Sequence, residues 1–184
     1  CDVFVEKPLA ATLEGAQRLE KLARTHERVL MPGHIFRFHP VVQSLAKIAK
    51  DRSEVPNWLQ IDFINTPNEE AVGLDPRLEF VHVFDIASVL MNDEPDVVVP
   101  GQRGKQVAHS SLAYGSGARA HLRMGWSKSG PRRRIVLRYD DLTIDADFLR
   151  GVMTTTSASH EVEKALFPGA PDALRAQLIA FLDR

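Results

Sequence analysis

Apolar and polar positions change period several times along the chain, and each change marks an element. Val3, Phe4 and Val5 form an uninterrupted apolar run, the pattern of a strand buried on both faces, as parallel sheets require. Thr12 then offers a side-chain oxygen to cap a helix whose apolar positions Leu13, Ala16, Leu19 and Ala23 follow helical spacing, with Glu14 suited to its positive first turn. The helix is predicted to run to about residue 26, and residues 29–31 read as a second buried strand closed by Pro32-Gly33. Residues 2–31 are therefore expected to form a strand-helix-strand unit with parallel strands. Both faces of such a sheet, and its flanking helix, want partners. A strand that opens the chain at once, with no cap or leader, suggests a piece of a longer protein.

Residues 33–40 carry His34-Ile35-Phe36-Arg37-Phe38-His39, a crossing segment dense in rings and potential ligands that reads as an interdomain hinge. Pro40 suits the first turn of a helix with Val41, Leu45 and Ile48 on one side. Residues 58–64 alternate as a strand, with Trp58, Gln60, Asp62 and Ile64 facing one way and Leu59, Ile61 and Phe63 the other. Residues 65–74 are a polar loop, and residues 76–90 return to helical spacing, ended by Asn92-Asp93 and Pro95. The third quarter is β-rich. Ala118, Ala120, Leu122, Met124 and Trp126 oppose Arg119, His121 and Arg123, the signature of a half-buried antiparallel strand. Its expected partner is residues 107–114, joined through Gly115-Ser116-Gly117. Ile135, Leu137 and Tyr139 alternate again, as do Leu142, Ile144 and Ala146 after the turn at Asp140-Asp141, predicting a second hairpin. Residues 154–160 form a polar loop without periodicity, and Leu174, Leu178 and Phe181 mark an amphipathic helix in the tail. No internal repeat is visible.

At 184 residues the chain suffices for one domain, or one plus a fragment. Basic and acidic residues number 23 and 24, so no global field recruits nucleic acid or an anionic membrane. Arg132-Arg133-Arg134, with Arg119 and Arg123, make a basic strip without interleaved aromatics, which reads as a solvated or subunit-contacting face. The single cysteine, Cys1, excludes an internal disulfide. No run is apolar enough for a membrane span, and the cytosol is the default location. His34 and His39 lack ligand spacing, so no metal site is expected. No serine lies in a nucleophile-elbow sequence.

Chemistry concentrates at two places. Glu6-Lys7-Pro8 puts charge where the first strand ends, the edge at which open α/β sheets bind ligands, and a reversal at the lysine-proline bond would aim the amine into a crevice. The alternative is a strand running out into a solvated turn. On a continuous helix, Leu78, His82, Asp85 and Val89 share one stripe, so the histidine and aspartate must bond each other, another polar group or a ligand. The plain reading is a satisfied core pair. A lysine amine near the imidazole, however, is expected to hold it neutral, able to accept a proton from an alcohol as the carbinol hydride leaves.

Glu6-Lys7-Pro8 and the following helix, the 33–40 segment with Gly33-His34 and Arg37-Phe38-His39-Pro40, and His82-Val83-Phe84-Asp85 occur in an order that resembles the glucose-fructose oxidoreductase, inositol dehydrogenase and MocA (Gfo/Idh/MocA) family over nearly the whole chain. The resemblance implies an NAD(P)-dependent oxidoreductase acting on a sugar, nucleotide-sugar or cyclitol, the 33–40 segment looking most like members that act on nucleotide sugars. Its implied fold combines α/β and α+β parts: residues 1–36 as the end of a Rossmann β-α-β unit, then residues 37–184 as a mostly antiparallel sheet with helices on one face. By the same resemblance Lys7 and His82 are catalytic with Asp85 orienting His82, Glu6, Lys7 and Pro8 meet the cofactor, Pro8 follows a cis bond, and Arg37 and His34 meet substrate. Arg37 in a junction salt bridge is the alternative. The open sheet face is implied to join subunits of a homo-oligomer.

Two departures limit the likeness. Many members carry an aspartate where this chain has Leu78, and Asp75 or Glu79 would compensate only if the helix start is irregular. No Gly-x-Gly-x-x-Gly follows a strand: Gly115-Ser116-Gly117 sits in a hairpin, and the spacing of residues 101–105 fits no phosphate loop. The main NAD(P)-binding half is thus expected to lie outside this chain, which would not bind the dinucleotide tightly by itself. A noncatalytic relative, or a fragment kept as a binding or assembly module, is the rival reading.

Overall fold

Val3–Val5 (β1) and Leu30–Pro32 (β2) pair in parallel, Val3 opposite Leu30, around the crossover helix α1 (Leu13–Thr25). The computed structural model describes residues 1–52, 54–68, 74–101, 106–157, 162–166 and 172–183. Thr12 caps α1 as expected, its hydroxyl oxygen accepting from Gly15 N at 3.1 Å. The second strand begins one residue later than expected. Burial on both faces does not materialise: Val3 is 42% exposed, α1 buries no residue, and Leu13 and Leu22 face solvent. A two-stranded sheet with one helix has too little surface to close over either face.

The 33–40 segment is not extended. It winds into a 3-10 turn, Ile35–Phe38, after which His39 Nδ1 accepts from Val41 N at 3.3 Å and starts α2 (Pro40–Asp51). The remaining strands form one sheet in the order β10-β9-β8-β7-β3-β6-β5-β4. These are β3 (Trp58–Asn65), β4 (Val97–Pro100), β5 (Val107–Ala113), β6 (Arg119–Trp126), β7 (Arg132–Arg138), β8 (Leu142–Asp147), β9 (Val152–Ser157) and β10 (Val162–Leu166). The β5-β6 and β7-β8 hairpins form as expected, and within this sheet, among the described residues, only β3 and β6 pair in parallel. Leu59, Ile61 and Phe63 of central β3 bury with Leu122 of β6 and Leu137 of β7 against Leu45 of α2 and Val83, Ile86 and Leu90 of α4 (His82–Met91). Gly125, at φ +135°, lies where an added Cβ would sit 2.0 Å from Gln106 O, so only glycine lets β5 and β6 meet there.

Three other expectations are corrected. The helix over residues 76–90 is broken into α3 (Pro76–Glu79) and α4 at Phe80 and Val81. Leu78 is 62% exposed and leaves the stripe on which it was placed. Residues 154–157, expected in a loop, belong to β9, because β-branched threonine fits a pleated surface without any apolar alternation to announce it; residues 158–160 lie outside the described residues. In the tail, α5 (Ala173–Leu182) buries Gln177 and leaves Leu174 and Leu178 exposed, while Phe181 tilts against Phe4 with ring centroids 5.9 Å apart. Its sequence is apolar on several sides, so the contact with Phe4 and the 3-10 turn, not periodicity, chooses the buried face. Among the described residues, no helix is long and apolar enough to cross a membrane.

Candidate active site

The break between α3 and α4 builds one wall of the site. Val83 N bonds Phe80 O rather than reaching back one residue further, so the carbonyl of Glu79 is left over by the helix. Lys7, arriving from β1 through a cis Lys7-Pro8 peptide, takes it: Nζ donates to Glu79 O at 2.9 Å and to Glu79 Oε1 at 3.1 Å. An irregular helix start thus brings Glu79, not Asp75, to the lysine. Asp75 instead caps α3 and pairs with Arg77.

His82 opens α4 and lines the same cavity as Lys7 and Glu79, a space of about 320 Å³ that Phe36, Asn65 and Arg133 also border. The two groups that the sequence singled out 75 residues apart are therefore neighbours across one crevice. Burial, chiefly, and then the Lys7 ammonium and His34 push the His82 imidazole down from 6.5 to about 4, against the weaker upward pull of Asp85 and Glu79. The ring is neutral at physiological pH. Its Nδ1 is buried with no hydrogen-bond partner among the described residues, and Phe36 packs edge-on at 5.1 Å between centroids.

Asp85 makes no hydrogen bond to His82, so the two do not form a bonded core pair. Its carboxylate, 6% exposed, accepts from Arg37 Nε at 2.9 and 3.0 Å and from Arg37 NH2 at 2.6 Å, while His34 Nδ1 stands 3.6 Å away. Arg37 thus makes the junction salt bridge, and the bond to Asp85 raises its already high pKa. Burial lowers the His34 pKa, Asp85 opposing and Arg37 adding to the effect. His34 and His82 meet edge to face at 6.3 Å, so the Arg37-Asp85-His34 group stands behind the imidazole rather than in the cavity. Glu6 lies over Gly33, where an added Cβ would be 3.2 Å from its carboxylate, and Pro8 is exposed.

Sequence reasoning missed Arg133. The expected single basic strip is split by strand alternation: Arg132 and Arg134 pair opposite Ile64 and Asp62, whereas Arg133 pairs opposite Phe63 on the helix-covered side. Arg134 bonds Asp145 and Arg132 Nε stands 3.4 Å from Asp62, while Arg133 turns toward the cavity and donates from NH2 to Asn65 Oδ1 at 3.1 Å. The period-two alternation of residues 132–138 was the signal that could have separated it.

Residues 1–34 match the profile of an oxidoreductase family with an NAD-binding Rossmann fold. The UDP-N-acetylglucosamine 3-dehydrogenase of Acidithiobacillus ferrooxidans is 25% identical over 194 aligned residues, which take in 98% of this chain and 61% of that enzyme. The match at residues 1–34 is to the family that the sequence motifs resemble, Gfo/Idh/MocA. A solved structure of the same A. ferrooxidans family member superposes with a TM-score of 0.88 at 23% identity, over 99% of this chain and 61% of that one. A 3-ketoreductase from Actinomadura kijaniata, in complex with TDP-benzene and NADP, superposes at 0.80 with 18% identity, over 99% and 61%. These likenesses show a shared fold, and the chain spans about 61% of the length of these relatives.

Proposed function

We propose that this chain is the part of an NAD(P)-dependent oxidoreductase that holds the reacting carbinol of a sugar or nucleotide sugar, with residues 1–36 closing a Rossmann domain and residues 37–184 forming the substrate domain. One observation carries the reading: an ammonium and a neutral imidazole share a cavity of about 320 Å³ at the exit of a parallel strand. Lys7, anchored by two bonds to Glu79, keeps a third N–H for the carbinol oxygen or a ribose hydroxyl. His82, neutral because it is buried beside that ammonium, accepts the hydroxyl proton, and the nearby carboxylates Glu79 and Asp85 stabilise the imidazolium as it forms. Arg37, Asp85 and His34 fix the wall behind the ring. Nicotinamide, when bound, takes or gives the hydride. Glu6, Lys7 and Pro8 suit its sugar end only, for among the described residues no glycine-rich turn opens a helix to cradle a pyrophosphate. The UDP- and TDP-linked chemistry named for the relatives supports a nucleotide-sugar substrate. The polar open face of the eight-stranded sheet, with Trp58 stacked on His121 at 4.4 Å, is the surface through which we expect a homo-oligomer.

The binding-module reading keeps one specific support, the exposed Leu78 in place of an aspartate. Nicotinamide absorbance at 340 nm, followed in the natural protein that carries this chain, with free sugars and UDP-N-acetylglucosamine, separates the two. Hydride transfer should appear, and Lys7→Ala and His82→Asn should each slow turnover by about 100-fold or more. Turnover unchanged by both substitutions would refute the assignment.

A further inference from the structure

Most partly buried arginines of the cavity's surroundings have an acid: Arg37 has Asp85, Arg77 has Asp75 and Arg134 has Asp145. Arg133 does not. Its guanidinium bonds only the neutral amide oxygen of Asn65 and lies 5.7 Å from the centroids of both Phe36 and Phe63; among the described residues no carboxylate meets it. Ring faces repay only part of the desolvation of a cation, so an arginine held this way stands ready for an anion from outside the fold. Three of its features fit that use. It borders the Lys7-His82 cavity, its planar fork matches two oxygens at once, and Phe36 and Phe63 fix its orientation before any ligand arrives. A second cavity of about 270 Å³, lined by Arg132, Arg134 and Arg150 with Asp145 and Asp147, lies on the open face, where the neighbours of Arg133 point.

We propose that Arg133 is the oxyanion-recognising residue of this site, binding a negatively charged group on the substrate while the substrate's carbinol faces Lys7 and His82. The inference rests on the sugar-oxidoreductase reading and adds the class of substrate that the site selects. The shared chemistry is a pair of anionic oxygens, supplied either by the diphosphate of a nucleotide sugar or by the carboxylate of a uronic acid.

Binding, measured without any turnover, tests the assignment apart from the hydride-transfer reading. The natural protein that carries this chain, labelled with 15N, is titrated at low salt with UDP, with glucuronate and with uncharged uridine. UDP or glucuronate should shift resonances of Asn65, Phe63 and Arg133, and the arm that does so identifies the source of the oxygens. Arg133→Gln should weaken that binding by about 10- to 100-fold, the range for a hydrogen-bonded charge. Arg133→Lys should keep more of it, uridine should be indifferent to both changes, and Arg119→Gln on the open face should bind like the parent. Amide spectra of the variants without ligand confirm that each is folded. Failure of both anions to bind, or equal binding by Arg133→Gln and the parent, overturns the proposal whether or not the intact enzyme transfers hydride.

Discussion

Replacing Lys7 with methionine keeps an unbranched side chain and removes its charge, which isolates one contribution to the state of His82. The imidazole stands at about 4, with burial the first cause and the lysine the second. Because the larger cause survives the substitution, the midpoint in Lys7→Met should rise above about 4 and stay below 6.5. Stability follows. In the unfolded chain the ring takes a proton near its ordinary 6.5, while in the folded chain it waits until about 4. Between those values the unfolded state holds more protons, so stability rises with pH there and is lost as the solution is acidified through that window. At about 1.4 kcal/mol per unit the full shift sets a ceiling of roughly 3 kcal/mol. The ring is only partly buried, and solvent screening reduces the expected loss to about 1–2 kcal/mol. NMR titration of the histidine ring protons from acid to neutral pH, assigned with His82→Asn, reads the midpoint. Urea unfolding of the parent and His82→Asn at pH values on either side of the window reads the stability. A midpoint that stays put or falls in Lys7→Met would mean that ammonium and imidazole do not act on each other, and the proton-transfer mechanism would go with it.

Arg37→Ala removes every guanidinium bond from a carboxylate that is 6% exposed, and should cost about 1–3 kcal/mol in urea unfolding. Adding Asp85→Asn should return part of that loss, since the stranded charge disappears with it. Leu78→Asp should change stability by no more than about 0.5 kcal/mol, because the side chain is 62% exposed. A loss several times larger would mean that residues 76–90 run as one helix after all.

The elements with a single unambiguous period were legible in the sequence. The capped helix after Thr12, the alternating strands of the two hairpins and the central strand at residues 58–65 all formed where the pattern put them, because each keeps one period along its length. Elements whose pattern was mute or double were not. Val97–Pro100 is a short exposed edge strand, Val152–Ser157 is built largely of threonine and serine, and α5 offers apolar residues on more than one side. The site divided in the same way. Lys7 and His82 stood out as charged or ionisable groups in apolar surroundings, whereas Arg133 was hidden inside a run of three arginines whose members point to opposite faces.

Residue order alone determined that a lysine follows a buried-type strand, that a histidine and an aspartate lie three positions apart, and that no glycine-rich turn precedes them. Pairing was another matter. Only the fold decided that Asp85 goes to Arg37, that Glu79 rather than Asp75 meets Lys7, and that Arg133 faces the cavity. The physical reason is that a charged side chain selects its partner by distance and desolvation in three dimensions, and those are set here by a two-residue break in a helix and by the alternation of one strand.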